Sequence, residues 1–322
     1  MTGCTERRRP DSIGALTSLH NPETIHDRGA RKDGRGRQVV ALVLSHNAPQ
    51  SLARCLNAVA AQTTPPQGIV VVDNASDPPI QIGALPSTGV PTRVMRSDVN
   101  LGPAGGWAIA LRDFLSSDFS DAWVMDDDIV PETRCLATLL MARDEDPGRT
   151  FVVPVSIQPD GAIGRWGSWC GFMIAREIVE AVGLPRAELF WWAEDTEYCH
   201  WRIPQAGFER RVIEEAVVHH DAIRQGDVPP WKYYYEARNM LYYHLYIMHK
   251  VGRYPRNVSK LLGRAIFRPQ NRRLACWWAI ARGLFDGAFG RLGIRYPVSS
   301  MRERDLSSDR SFSGVRPDTD DD

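Results

Sequence analysis

The feature that most constrains this chain is the run Val39-Val40-Ala41-Leu42-Val43-Leu44. Six consecutive apolar residues with no polar face suit a strand covered on both sides, as in a parallel sheet. A helix-like stretch follows over about 49–61, with Leu52, Leu56 and Val59 on one face. Ile69-Val70-Val71-Val72 is a second buried strand, and Thr92-Arg93-Val94-Met95 a weaker third. A second helix over about 104–115 leads into Ala122-Trp123-Val124-Met125. Strands that alternate with helices imply an α/β domain with right-handed crossovers. The expected fold class is therefore α/β, a Rossmann-like, mostly parallel sheet with flanking helices.

In such sheets ligands bind beyond the carboxyl ends of the strands. Those positions read Ser45-His46-Asn47, Asp73-Asn74-Ala75-Ser76, Asp98-Val99-Asn100-Leu101-Gly102 and Asp126-Asp127-Asp128. Four polar strand ends in succession point to a polar ligand. A dinucleotide site needs G-x-G-x-x-G directly after the first strand, where this chain has Ser-His-Asn. No G-x-x-x-x-G-K-[ST] loop and no G-x-S-x-G elbow occurs.

Adjacent carboxylates repel one another and are tolerated best beside a cation. Alternate residues of an extended chain share a face, so Asp126 and Asp128 can address one ion while Asp127 points elsewhere. Hard oxygen donors suit Mg2+ or Mn2+, ions that also bind diphosphate. The bland alternative is a solvated acidic turn or a helix cap. A second cluster, Phe190-Trp191-Trp192-Ala193-Glu194-Asp195-Thr196-Glu197, sets acids beside large aromatics. Apolar surroundings raise a carboxyl pKa, as a general base requires. Acids at a helix start are the competing reading. His220 ends the apolar run Ala216-Val217-Val218 and could complete a metal shell, or be merely structural.

The 39 basic and 39 acidic residues balance, which argues against a general nucleic-acid binder. Six scattered cysteines with no C-x-x-C pair argue against a zinc ribbon or disulfide scaffold and favour a reducing compartment. No apolar run approaches the ~18–20 residues of a membrane span. The N-terminus lacks the apolar core of a secretory signal.

Taken in order, these segments resemble family 2 glycosyltransferases of the GT-A fold, over roughly residues 38–250. Val39 to Asn47 resembles the family's opening strand and turn. Ile69 to Ser76 resembles its V-V-V-D-N-x-S segment, and Asn100-Leu101-Gly102 its N-x-G segment. Asp126-Asp127-Asp128 occupies the D-x-D position, and Glu194-Asp195-Thr196-Glu197 resembles E-D-x-[DE]. His220 matches a late metal histidine, with His219 where a Trp usually stands. Asn100 to Trp107 and Tyr233 to Asn239 are similar to segments of bacterial galactofuranosyltransferases, and rhamnosyltransferases share much of this.

The resemblance implies an inverting, metal-dependent transfer from a nucleoside-diphosphate sugar, UDP-galactofuranose-like, to an acceptor hydroxyl. Asp126, Asp128 and His220 would hold Mn2+ or Mg2+. Asp195 would take the acceptor proton, with Glu194 as second choice. Ser45, His46, Asn47, Asp73, Asn74, Asn100 and Asp127 would meet the donor. Gly102, Gly105 and Gly106 would let it approach the backbone closely. Trp166, Trp169, Trp191 and Trp192 would form an acceptor wall, with core packing as the alternative. The rivals are a dTDP-rhamnose enzyme, a non-catalytic membrane-bound scaffold on a decayed transferase, and a nucleotidyltransferase. The last would need a Gly-rich basic loop after the first strand.

The ends read differently. Residues 1–37 and the acidic 306–322 are expected to be disordered, the first with Arg7-Arg8-Arg9 in it. Residues 251–295 carry ten basic residues and a single acid, Asp286, interleaved with Phe267, Leu274, Trp277, Trp278, Phe285 and Phe289. Basic residues among aromatics at helical spacing fit a helix in a membrane interface, so 251–305 is read as a basic amphipathic helical extension. A helical lid on the catalytic domain is the alternative. The expected setting is the cytoplasmic face of the cell membrane, in cell-wall or polysaccharide assembly, with a lipid-linked or glycan acceptor and no nucleic acid.

Overall fold

The computed structural model describes residues 37–145, 150–165, 167–221, 228–250, 252, 254–267 and 270–296. The expected leader (apart from Arg37), the acidic tail, Trp166, Arg253 and Arg268 lie outside the described residues. Arg37 belongs to the folded part, with ion pairs to Asp121 and Asp144.

The first half is a parallel α/β unit. β1 (Val39–Ser45) is buried throughout and lies between β2 (Gly68–Asn74) and β4 (Asp121–Asp126), parallel to both. β3 (Thr92–Ser97) extends the sheet beyond β2 and is only half-buried, which explains its weaker apolar signal. Because side chains alternate along a strand, β1 feeds two cores. Val40, Leu42 and Leu44 pack with Trp107, Leu111 and Phe114 of α2 (Gly102–Leu115). Val39, Ala41 and Val43 pack with Leu52, Leu56 and Val59 of α1 (Pro49–Ala60). A continuous apolar run is what two covered faces demand. Leu42→Ala in this packing would cost about 2–5 kcal/mol.

Beyond β4 the sheet becomes mixed. β5 (Ile129–Pro131) follows the acidic turn, and α3 (Cys135–Glu145) leads to β6 (Thr150–Ile157), β7 (Ile163–Gly164) and β8 (Cys170–Ala175). Next come α4 (Arg176–Val182), the single turn α5 (Glu194–Glu197), the short α6 (Ile203–Gln205) and β9 (Glu209–His220). The sheet order is β3-β2-β1-β4-β8-β6-β9-β5, with β7 beside β6. β8 runs antiparallel to β4, and β9 antiparallel to β5.

A helical layer completes the chain: α7 (Pro230–Tyr242), α8 (Tyr254–Ile266) and α9 (Gln270–Ala288). α9 lies hard against α7 because Gly283 and Gly287 face it. A Cβ on Gly283 would meet the Tyr234 carbonyl at 2.4 Å, and one on Gly287 the Arg238 carbonyl at 2.5 Å. Asp286, the single acid between 251 and 295, is buried here, accepting from the Tyr234 hydroxyl at 2.9 Å and pairing with Arg282. Helix α9 presents two unlike faces. One face packs on α7; the other exposes Leu274 and Trp278, and Phe289 lies exposed just beyond the helix. No helix among the described residues is long and apolar enough to cross a membrane.

Candidate active site

The acidic turn sits where three strand ends meet. The Asp126 amide donates to the Trp169 carbonyl at 2.8 Å, and the Asp127 amide to Leu44 at the end of β1 at 3.1 Å. Asp127 turns aside as expected, its carboxylate accepting from the Ser45 hydroxyl at 2.5 Å. β9 pairs His220 with Ile129, which brings the histidine beside the turn. His220 Nε2 lies 3.3 Å from Asp128 Oδ2, and its Nδ1 lies 3.1 Å from the Gln158 side-chain oxygen. The sequence separates Asp128 and His220 by about ninety residues; the sheet closes that gap.

The electrostatics are those of crowded, buried carboxylates. Burial, then the charges of Asp128, Asp127, Glu194 and Asp195, pushes Asp126 well above the usual carboxylate range. Burial raises Asp127 to about 7 against the opposing bond from Ser45. Asp128 Oδ1 is buried with no hydrogen-bond partner. A buried acceptor left unpaired is costly and calls for an explanation. Among the described residues no group of three or more His, Cys, Asp or Glu is arranged to hold a metal ion, so Asp126 does not join Asp128 and His220 in the expected three-residue site. Mg2+-type sites are commonly built from one or two carboxylates, water and substrate phosphate. Asp128 with its unsatisfied oxygen and the adjacent His220 fit an open site of that kind.

The second acidic cluster is delivered by a strained loop. Phe190, Trp192 and Ala193 have φ of 62°, 76° and 69°. Non-glycine residues in this region cost about 1–3 kcal/mol each and persist only when surroundings enforce them. The enforcement comes from two sides. On one, the Ala104 amide donates to the Phe190 carbonyl at 3.2 Å. Gly102, with φ of +66°, has no room for a side chain, since a Cβ would meet that carbonyl oxygen at 2.0 Å. On the other side, Asn239 of α7 places its amide nitrogen 2.8 Å from the carbonyls of Leu189, Trp191 and Trp192. Arg238, fully buried beneath the Tyr235 ring, donates to Leu189 at 3.0 Å and to Gly293 at 2.6 Å. The stretch from Tyr233 to Asn239 therefore has a structural task that the sequence did not reveal. A polar Arg-Asn pair inside an aromatic helix was its available signal.

The three acids delivered by this loop differ. Glu194 is buried, has one oxygen without a partner, and is raised to about 8 by burial and by Asp195. It keeps its proton at neutral pH and is poorly disposed to accept another. Asp195 is half-buried; it accepts from the Ser168 hydroxyl at 2.7 Å and the Thr196 amide at 2.6 Å. Glu197 is spent on ion pairs with Arg186 and Arg202.

On the nucleoside side several expectations change. Asp73 is fully buried, and both its oxygens are engaged by the Ser76 and Ile80 amides and by Arg96. It shapes the loop instead of offering a free carboxylate. Asn74 and Asn100 do likewise, bonding Leu101 and Gly102. Gly105 and Gly106 face Leu101 and Leu44, where a Cβ would clash, so close packing already accounts for both glycines. His46 and Asn47 touch each other at 3.0 Å, with His46 Nδ1 2.8 Å from the Asn74 carbonyl. Asn47, Leu52, Ser76 and Ile80 line a cavity of about 480 Å³ at this end.

The tryptophans divide. Trp169 is core, buried and stacked on Trp107 at 4.9 Å, so its place in an acceptor wall is withdrawn. Trp191 is half-buried against Trp231 at 5.2 Å. Trp192 is 38% exposed and lines a second cavity of about 630 Å³ with Asp195, Thr196, Glu236, Lys260 and Arg264. Helix α8, from the basic extension, thus forms part of this cleft's wall.

The family model for glycosyl transferase family 2 matches residues 41–183. Galactofuranosyltransferase GlfT1 of Mycolicibacterium smegmatis is 37% identical over 103 residues, covering 32% of this chain and 34% of that protein. GlfT1 of Mycobacterium tuberculosis H37Rv is 34% identical over 110 residues, covering 33% of this chain and 36% of that protein. The chain thus matches about a third of the length of these curated relatives. The crystal structure of S. aureus TarS 1-349 in complex with UDP-GlcNAc aligns with TM-score 0.50 and 12% identity, over 88% of this chain and 95% of that one, a likeness of fold. Residues 41–183 are thus similar to glycosyl transferase family 2, and the fold is like that of the S. aureus TarS structure.

Proposed function

We propose that this chain is a metal-dependent, inverting glycosyltransferase. It moves a sugar from a nucleoside-diphosphate donor of the UDP-galactofuranose type to the hydroxyl of a lipid-linked or glycan acceptor. The observation that carries this reading is the buried, unpartnered Oδ1 of Asp128 beside His220, at the strand end where Asp126 is crowded by like charges. The galactofuranosyltransferase relatives support the choice of donor.

Asp128 and His220 would hold Mn2+ or Mg2+, with water and the donor's phosphates as the further ligands. The ion, when bound, would offset charge on the leaving diphosphate. Asp127 and Ser45 fix the turn. Asp195 faces the cleft and accepts the proton of the attacking hydroxyl, held in place by Ser168 and Thr196. A single displacement needs one base, and Glu194, already protonated at neutral pH, leaves that task to Asp195. Trp192 offers an exposed ring on which an acceptor sugar can stack.

The exposed Phe267, Leu274, Trp278 and Phe289, with Arg264, Arg273, Arg291 and Arg295 exposed among them, support seating on an anionic membrane surface. That surface would be the inner face of the cell membrane, in cell-wall or polysaccharide assembly. Calorimetric titration with UDP and with dTDP, each with and without Mn2+, tests the reading. Metal-dependent binding of UDP alone is expected. A preference for dTDP would move the donor to dTDP-rhamnose. Binding of neither nucleotide by folded protein would leave a non-catalytic scaffold.

A further inference from the structure

The cleft beside Asp195 is charged asymmetrically along its walls. One part carries Asp195. Another part, from α8, carries Lys260 and Arg264, which stand one helical turn apart and so share a face. Arg264 is paired with Glu236, also in the cleft, whereas Lys260 makes no ion pair with a described residue. Two and three residues beyond Arg264 the chain exposes Ile266 and Phe267, the latter at 89%. A neutral glycan would need no cations in such a cleft. An anionic group would be repelled by Asp195, but it would be stabilised beside Lys260 and Arg264.

We infer that Lys260 and Arg264 form a subsite for a phosphate or diphosphate carried by the acceptor. The acceptor's hydroxyl points to Asp195 and its apolar carrier leaves over Ile266 and Phe267. This rests on the proposed transferase reading and adds to it the chemistry and orientation of the acceptor. The subsite lies outside the family 2 match at 41–183 and is built by the helical extension. It also gives α8 a reason to be both cleft wall and start of an exposed apolar surface.

The test uses the full chain with its donor site saturated by UDP and Mn2+, after UDP binding has been measured separately. The probes are citronellyl diphosphate, inorganic pyrophosphate and citronellol. Citronellyl diphosphate is expected to bind with UDP present, and Lys260→Ala to weaken it about tenfold or more. Arg264→Ala is expected to act in the same direction, and UDP affinity to stay unchanged in both variants. The prenyl ester should bind more tightly than pyrophosphate, and citronellol should gain nothing from Lys260. Affinity indifferent to both substitutions, or displacement of the probe by UDP, would overturn the subsite. Equal binding of pyrophosphate and the ester would overturn its assignment to a carrier-linked acceptor. Failure of UDP itself to bind would instead count against the transferase reading.

Discussion

The donor and acceptor walls that the proposed function assigns to this cleft are held by different means. The donor side is made at strand ends, where ladder hydrogen bonds and two apolar cores fix the backbone before any side chain is placed. The acceptor side is a strained loop gripped by side chains, with Asn239 and Arg238 on one flank and the start of α2 on the other. A wall built on a sheet tolerates loss of one side chain. A strained loop held by a few side chains should be more sensitive to losing one. The two sides should therefore be separable by mutation, and each substitution below is chosen to force them apart.

The largest effect is expected from Asp195→Asn. Transfer should fall by about 10²–10⁴ while metal-dependent nucleotide binding stays intact, because general-base catalysis is lost and the donor wall is untouched. Paired kinetics and calorimetry check this, and equal losses in both readouts would join the two walls again. Asn239→Ala comes next. It removes the side-chain donor to the Trp191 and Trp192 carbonyls, while Leu189 keeps Arg238, and loosens one flank of the left-handed loop. A stability loss of about 1–3 kcal/mol is expected in denaturant titration, with kcat falling and UDP affinity holding. An unchanged kcat would show that the loop keeps its shape without the clamp. Trp192→Ala should be milder, raising acceptor KM about tenfold and leaving the donor KM alone, as loss of a sugar-stacking ring requires.

How legible these walls were follows from the same difference. The donor side announced itself locally: an apolar run, then Ser45 or Asp126 to Asp128 at its end. The meeting of Asp128 with His220 could be named only through resemblance, since the pairing of β5 with β9 is set by the whole sheet. Glycines Gly105 and Gly106 carry an ambiguous signal, because a donor's approach and a leucine's approach ask the same of the residue, absence of a side chain. Asp73 was misread because a carboxylate at a strand end looks alike whether it faces a ligand or folds back onto Ser76 and Arg96. The role of Asn239 has no local signal, because its three partners lie about fifty residues earlier. Trp169 and Trp192 share one residue type, and only burial separates them.

The smallest expected effect belongs to Glu194. Its folded pKa of about 8 lies above the ordinary glutamate value of about 4.3. Between those values the folded state holds a proton that the unfolded chain has released. Its contribution to stability is therefore full at low pH and is lost as pH rises through about 8. Thermal unfolding from about pH 5 to 9 should show wild-type Tm falling with pH, and Glu194→Gln should fall less steeply. Parallel slopes would remove Glu194 from the account of the buried acidic field.

The most direct test of the central claim is anomalous diffraction from crystals soaked in UDP and Mn2+. A single manganese peak is expected within bonding distance of Asp128 Oδ1 and His220 Nε2, with the diphosphate against it. Well-ordered UDP without manganese at that position, or manganese bound away from Asp128, would contradict the claim.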